Sequence, residues 1–186
     1  MDVSLRETAE HVIREQKAQK GNYYSFHDAT LVSMDPKTGE ILAMVGGDDY
    51  NRPGGQYNFA YDVQRQPGSS FKIFTYTAAI ESRKVNMTSP ILDAPMVFPI
   101  GGDQAGRYLP GFAPYAPLNY DLKFHGTVPL KLAMGNSFNI PALKTELRTG
   151  IPEVVDMAHR IGISSPGLPC DPNRDAIFYC PILTLV

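Results

Sequence analysis

Two short segments carry the groups that acyl transfer without histidine requires: a nucleophilic hydroxyl, an amine to accept its proton and a second proton carrier. The first is Arg65-Gln66-Pro67-Gly68-Ser69-Ser70-Phe71-Lys72. It sets Ser69 three positions before Lys72, at the expected start of a helix, where residues i and i+3 share a face and hydroxyl and amine can meet. Partial burial and the positive end of the helix dipole both disfavour a charged lysine, which suits Lys72 to the role of base. The Ser69 backbone N–H, at the helix N-terminus, is a candidate oxyanion donor. Ser70 is a rival hydroxyl but has Ile73, not a lysine, three residues on. The second segment is Asn136-Ser137-Phe138-Asn139-Ile140-Pro141-Ala142. Pro141 is expected to start a helix, which leaves Ser137 and Asn139 in a connection between two helices, both able to face one cleft. Ser137 is a candidate proton relay between Lys72 and a leaving amine, and Asn139 a candidate for hydrogen-bonding a substrate amide. Each segment also has an ordinary reading, as a capping serine with a solvated lysine and as a capped interhelical turn. The Pro-Gly bend, the aromatic inside the motif and the long helix after it favour the chemical one.

The elements that must position these groups follow from the pattern. Ser4-Leu5-Arg6-Glu7 fits a capping box, and Leu5, Ala9, Val12 and Ile13 continue at helical spacing to an end near Gly21. Residues 29–34 and 40–45 read as two strands joined by the turn Asp35-Pro36-Lys37-Thr38-Gly39. Both strands are apolar at successive positions, which predicts a sheet covered on both faces. Residues 46–66 form a loop, and a helix over 69–82 is anchored by Phe71, Phe74, Ala78, Ala79 and Ile80. The stretch 84–120 is rich in proline and glycine and reads as irregular, which in a long segment points to function. Helices are expected over 127–136, 141–147 and 153–161, the last closed by Gly162, followed by loop over 164–180 and an apolar run over 182–186.

The bulk numbers exclude several classes. At 186 residues the chain is long enough for one cored domain or for a piece of a larger one. A net charge of -2 gives no reason to expect nucleic acid or an anionic membrane as partner. No run of about 18 apolar residues is present, so no bilayer-spanning helix is expected, and the charged N-terminus lacks the apolar core of a signal peptide. Cys170 and Cys180 are either two free thiols or the ends of one short bridged loop. The four histidines, His11, His27, His125 and His159, are scattered and lack H-E-x-x-H spacing, so a metal enzyme is not expected.

S-x-x-K followed by S-x-N is part of the motif set of penicillin-binding proteins and class A β-lactamases. The chain resembles the transpeptidase domain of class A, bifunctional penicillin-binding proteins. Residues 29–50, with Asp35-Pro36-Lys37-Thr38-Gly39-Glu40-Ile41-Leu42-Ala43-Met44-Val45-Gly46-Gly47, are similar to the family's opening strand pair. Tyr115-Ala116-Pro117-Leu118-Asn119-Tyr120, Gly126, Leu130 and the Ser137 segment are similar to its middle section. The resemblance implies an α/β (α+β) fold of the β-lactamase/transpeptidase kind: an antiparallel sheet packed with helices, plus a helical subdomain, here incomplete. It implies one partial transpeptidase domain over 1–186: an N-terminal helix (1–22), opening strands and loop (23–66), and the nucleophile helix with the S-x-N region (67–186).

The resemblance also assigns roles: Ser69 as acylated nucleophile, Lys72 as its base, Ser137 as proton shuttle and Asn139 as substrate contact. It implies D,D-transpeptidation of D-Ala-D-Ala peptidoglycan stem peptides at the extracytoplasmic face of the bacterial cell membrane. β-Lactams would be covalent ligands; no cofactor is implied, and membrane contact would come only through an N-terminal anchor outside this chain. The family's third motif, Lys-Thr-Gly on a strand beside the nucleophile, does not follow Ser137; Lys37-Thr38-Gly39 lies in the opening turn. The chain is therefore expected to be a C-terminally truncated fragment, marginally stable, with an exposed sheet edge. The alternatives are a serine β-lactamase or D,D-carboxypeptidase and a non-catalytic truncated remnant. Neither Glu146 nor Glu153 is followed by the E-x-x-x-N pattern that a class A β-lactamase needs.

Overall fold

The computed structural model describes residues 2–63, 67–97 and 116–164. Cys170, Cys180, Tyr115 and the apolar run over 182–186 lie outside the described residues. The chain divides into two compact units, Met1–Arg65 and Gln66–Val186.

In the first unit, helix α1 (Val3–Tyr24) is capped by Asp2, whose side chain accepts from the Leu5 N–H at 3.1 Å. The capping box expected at Ser4 is displaced two residues upstream because Asp2 holds the extended backbone that an N-cap requires. The helix also runs past Gly21 and ends at Ser25, which takes a left-handed φ of 54°. Strands β1 (Leu31–Met34) and β2 (Ile41–Val45) pair antiparallel, Leu31 opposite Val45, with a register shift between Ser33 and Met34. In their turn the Asp35 carboxylate accepts from the Lys37 N–H at 2.7 Å, and Gly39 supplies a φ of 75°. Ala9, Ile13 and Val45 form the unit's buried cluster, joined by Ala29 and Leu31. The prediction of a sheet covered on both faces fails. Val32, Met34 and Ile41 are exposed, because this two-stranded hairpin packs one face on a single helix and alternates along its length.

The second unit holds the rest. A 3₁₀ turn (Gly68–Phe71) leads into α2 (Lys72–Glu81). Strand β3 (Pro90–Asp93) pairs antiparallel with β4 (Gly126–Pro129), and α3 (Leu130–Gly135), α4 (Asn139–Thr149) and α5 (Ile151–Ile161) follow. Two expectations are corrected here. The irregular stretch contains β3, and the helix placed over 127–136 is a strand followed by a six-residue helix. The long-range β3–β4 ladder decides the conformation of 126–129 against local helical periodicity.

Helix α2 packs on α4 and α5, and α4 packs on β3. Phe71, Ala78, Val154, Met157 and Ala158 make one buried cluster; Tyr76, Ala79, Val85, Ile91, Leu130 and Ala142 make the next. Of the five anchors predicted for this helix, Phe71, Ala78 and Ala79 are buried, and Phe74 packs against the cluster of Phe71 and Ala78. Ile80 is exposed, and Tyr76 and Thr75 are buried in its stead. The actual stripe follows the contacts that α2 makes with two helices, broader than the anchors chosen from apolarity alone.

Candidate active site

The site begins at the bend before α2. Gly68 takes a φ of 57°, a conformation that glycine adopts without strain, and turns the chain into the 3₁₀ helix that bears Ser69. The Ser69 carbonyl accepts from the Lys72 N–H, and its side chain lies at an exposed position. Phe71 is fully buried, which fixes the turn against the core. Lys72, the first residue of α2, is only 3% exposed. Its desolvation has a chemical consequence: burial pulls the Lys72 pKa down from the ordinary 10.5 to about 8. On the order of a tenth of such side chains are neutral at pH 7, far more than for a solvated lysine.

The second segment meets this amine. Lys72 Nζ donates to the Ser137 carbonyl at 2.7 Å, to Ser137 Oγ at 3.1 Å and to Asn139 Oδ1 at 2.5 Å. These three contacts use all three hydrogens of an ammonium group. No hydrogen bond joins Lys72 Nζ to the Ser69 hydroxyl in this arrangement. On losing a proton, Nζ keeps two N–H groups for the two shorter contacts and gains a lone pair that can accept from a serine hydroxyl. Lys72, Ser137 and Asn139 thus form one hydrogen-bonded cluster, with Ser69 one turn away on the helix-entry backbone.

Local structure explains why Ser137 is available. It follows the C-cap Asn136 of α3 and has a φ of 54°, the left-handed position that usually belongs to glycine. The Ser137 N–H donates to the Met134 carbonyl and the Phe138 N–H to the Ala133 carbonyl, each at 3.0 Å. This Schellman pair holds a non-glycine residue in a conformation costing roughly 1–2 kcal/mol. Phe138 packs with Ala133 and Val128, the hydrophobic contact that accompanies such a cap. Helix α4 then starts at Asn139, two residues before Pro141.

Sequence reasoning missed the shell behind Asn139. The Asn139 N–H donates to Asn119 Oδ1 at 2.7 Å, and Asn139 Nδ2 donates to the Leu118 carbonyl at 2.6 Å. Asn119 Nδ2 in turn donates to Asp93 Oδ2 at 2.8 Å. The His125 ring stacks on Phe138, centroids 4.1 Å apart and planes at 14°, while its Nδ1 donates to Asp93 Oδ2 at 2.8 Å. Asn119 stood inside a segment singled out by likeness but given no role, and Asp93 and His125 carried no local signal. Among the described residues no group of three or more His, Cys, Asp or Glu side chains is placed to hold a metal ion. No described helix is long and apolar enough to cross a membrane.

Comparison with known proteins identifies the family. The family described as "Penicillin binding protein transpeptidase domain" matches residues 29–170. Penicillin-binding protein 1A of Neisseria meningitidis is 33% identical over 139 residues, which cover 75% of this chain and 16% of that protein. Among solved structures, penicillin-binding protein 1A from Haemophilus influenzae aligns with a TM-score of 0.61 at 30% identity, covering 73% of this chain and 18% of that one. The PonA1 protein from Mycobacterium tuberculosis in complex with penicillin V aligns with a TM-score of 0.57 at 25% identity, covering 83% and 38%. The chain therefore spans about a sixth of the length of the curated relative it matches, and it belongs to the penicillin-binding protein transpeptidase domain family.

Proposed function

We propose that this chain carries the acylating part of a D,D-transpeptidase site acting on peptidoglycan stem peptides outside the cytoplasmic membrane. Ser69 Oγ attacks the carbonyl carbon of the penultimate D-alanine while neutral Lys72 takes the hydroxyl proton. The Ser137 hydroxyl passes a proton to the departing amine and takes in its place the one that Lys72 gained from Ser69, the C–N bond breaks, and D-alanine leaves with an acyl-serine ester behind it. An acceptor amine or water then attacks the ester and regenerates Ser69. Asn139 Nδ2 carries a second hydrogen beyond the one given to Leu118, and that hydrogen is available to a substrate carbonyl.

The observation that carries this reading is the burial of Lys72 with its Nζ on both Ser137 and Asn139. A structural lysine is better served by a carboxylate partner. Here the partners are a carbonyl, a hydroxyl and an amide, which leave the proton transferable. A β-lactam presents the same scissile amide in a ring, so its acyl group stays on the serine after attack. The test is digestion and mass mapping of the chain after incubation with benzylpenicillin. An adduct on the peptide bearing Ser69 supports the reading. Folded protein that carries no adduct, or an adduct on another residue, refutes it.

A further inference from the structure

Behind the Lys72 cluster lies a second polar group that the acylation chemistry does not use. Asp93, at the end of β3, is fully buried, and Asn119 is 2% exposed. Asp93 Oδ2 accepts from Asn119 Nδ2 at 2.8 Å, from the His125 backbone N–H at 3.0 Å and from His125 Nδ1 at 2.8 Å. Asn119 Nδ2 also donates to the Lys123 carbonyl at 2.7 Å, so its amide plane is fixed from two sides. That leaves Asn119 Oδ1 aimed at the Asn139 N–H, the first backbone donor of α4, which no side chain of its own helix caps. The neighbouring Leu118 carbonyl holds the Asn139 side chain. On the other side the His125 ring, held by Asp93, stacks on Phe138, and its Nε2 lies 3.0 Å from the exposed Asp121 carboxylate. Residues 138 and 139 are thus gripped on both flanks from a single buried carboxylate.

A buried carboxylate costs desolvation that an apolar residue of similar size would avoid, so its presence calls for a job that an apolar residue cannot do. Here that job is directional. The left-handed turn at Ser137 and the rotamer of Asn139 together place three acceptors around one amine, and a small rotation of the connection would separate them. We infer that Asp93, Asn119 and His125 are positioning residues that lock the 137–139 connection onto Lys72 and keep water from its amine. None of them touches the reacting atoms. The inference rests on the proposed acylation role of that cluster for its importance, but not for its geometry.

The test uses the whole chain with [13C]lysine labelling, and follows the Lys72 Cε signals by NMR through a pH titration, with Lys72→Arg for assignment. In the unaltered chain the expected midpoint is about 8. In Asn119→Ala the connection loosens, water reaches Nζ, and the midpoint climbs by a unit or more toward the ordinary 10.5. Acylation of Ser69 by benzylpenicillin falls on the order of 10- to 100-fold, as expected when a supporting group is lost. His125→Phe keeps a ring on Phe138 but removes the Nδ1 donor, and gives a smaller shift in the same direction. It decides the matter if Asn119→Ala does not unfold cooperatively. A folded variant whose Lys72 midpoint stays near 8, or an unaltered chain whose midpoint lies at the ordinary lysine value, overturns the inference. Failure of the acylation reading is distinguishable, since it appears as a missing adduct on the unaltered chain while the titration comparison still stands.

Discussion

Lys72 Nζ lies 2.5 Å from Asn139 Oδ1, across 67 residues of sequence, with the Ser137 carbonyl 2.7 Å away on the same connection. The two motifs are therefore one structural object. The amine at the start of α2 is buried by the very turn that offers it acceptors, and the same burial lowers its pKa to about 8.

That depression links stability to pH with a defined sign. Lys72 holds its proton up to about 8 in the native chain and up to about 10.5 once unfolded. Between these values the unfolded state binds more protons, so stability rises with pH; below about 8 the penalty for burying the charge is fully present. Lys72→Met removes the dependence. The stability of the unaltered chain relative to Lys72→Met should grow by roughly 2–3 kcal/mol from neutral pH to the upper end of that window. Urea unfolding of both proteins at the two ends checks it; parallel pH curves would contradict it.

Asn139→Asp places a carboxylate where Asn139 Oδ1 now meets Lys72. An opposite charge favours the ammonium form, so the amine titrates above 8 and fewer molecules have a neutral base at pH 7. The pH–rate profile of penicillin acylation should move up by about one unit, with an approximately tenfold lower rate at neutral pH. Stopped-time mass spectrometry across a pH series measures it.

The left-handed Ser137 supplies a comparison of two variants. Ser137→Ala and Ser137→Gly both remove the hydroxyl 3.1 Å from Lys72, but only glycine accepts a φ of 54° without strain. The glycine variant should be the more stable of the two by about 1 kcal/mol, while both lose acylation rate. Thermal melts of the pair read the difference, and equal melting points would show that the turn stores no strain.

Tyr76 is 1% exposed, and among the described residues its hydroxyl has no hydrogen-bond partner. Burial, together with the Asp93 charge, pushes its ionisation further out of reach. Tyr76→Phe removes an unsatisfied polar group at constant shape. It should leave the chain as stable as before or more so, by up to about 1 kcal/mol. A cooperative loss of stability in denaturant would mean that the hydroxyl is satisfied after all.

What was legible in the sequence was local. Lys72 lies in the expected helix, and Gly39 and Gly162 take the positive φ that their turns demand; Ser69 lies in the 3₁₀ turn that precedes α2, where its hydroxyl makes no hydrogen bond to the Lys72 amine. The short strand Gly126–Pro129 was not legible, because Thr127, Val128 and Leu130 also fit a helical stripe and only pairing with Pro90–Asp93 separates the two. The bracket behind the site was illegible for the same reason. Asp93 and Asn119 are 26 residues apart, and Asn119 and Asn139 are 20 apart, so no periodicity relates them. The sheet face was misjudged because runs such as Ile41–Val45 are apolar whether or not both sides are covered.

The central claim is that burial makes Lys72 a base for Ser69. Its most direct test is the rate at which a penicilloyl adduct grows on the intact chain, by mass spectrometry, from about pH 6 to about pH 10, with Ser69→Ala alongside. The account predicts an adduct only where Ser69 is present, forming at a rate that rises with pH and levels off around an inflection near 8. An adduct that survives in Ser69→Ala, no adduct on folded protein at any pH, or a rate still climbing toward the ordinary lysine value of 10.5 would contradict it.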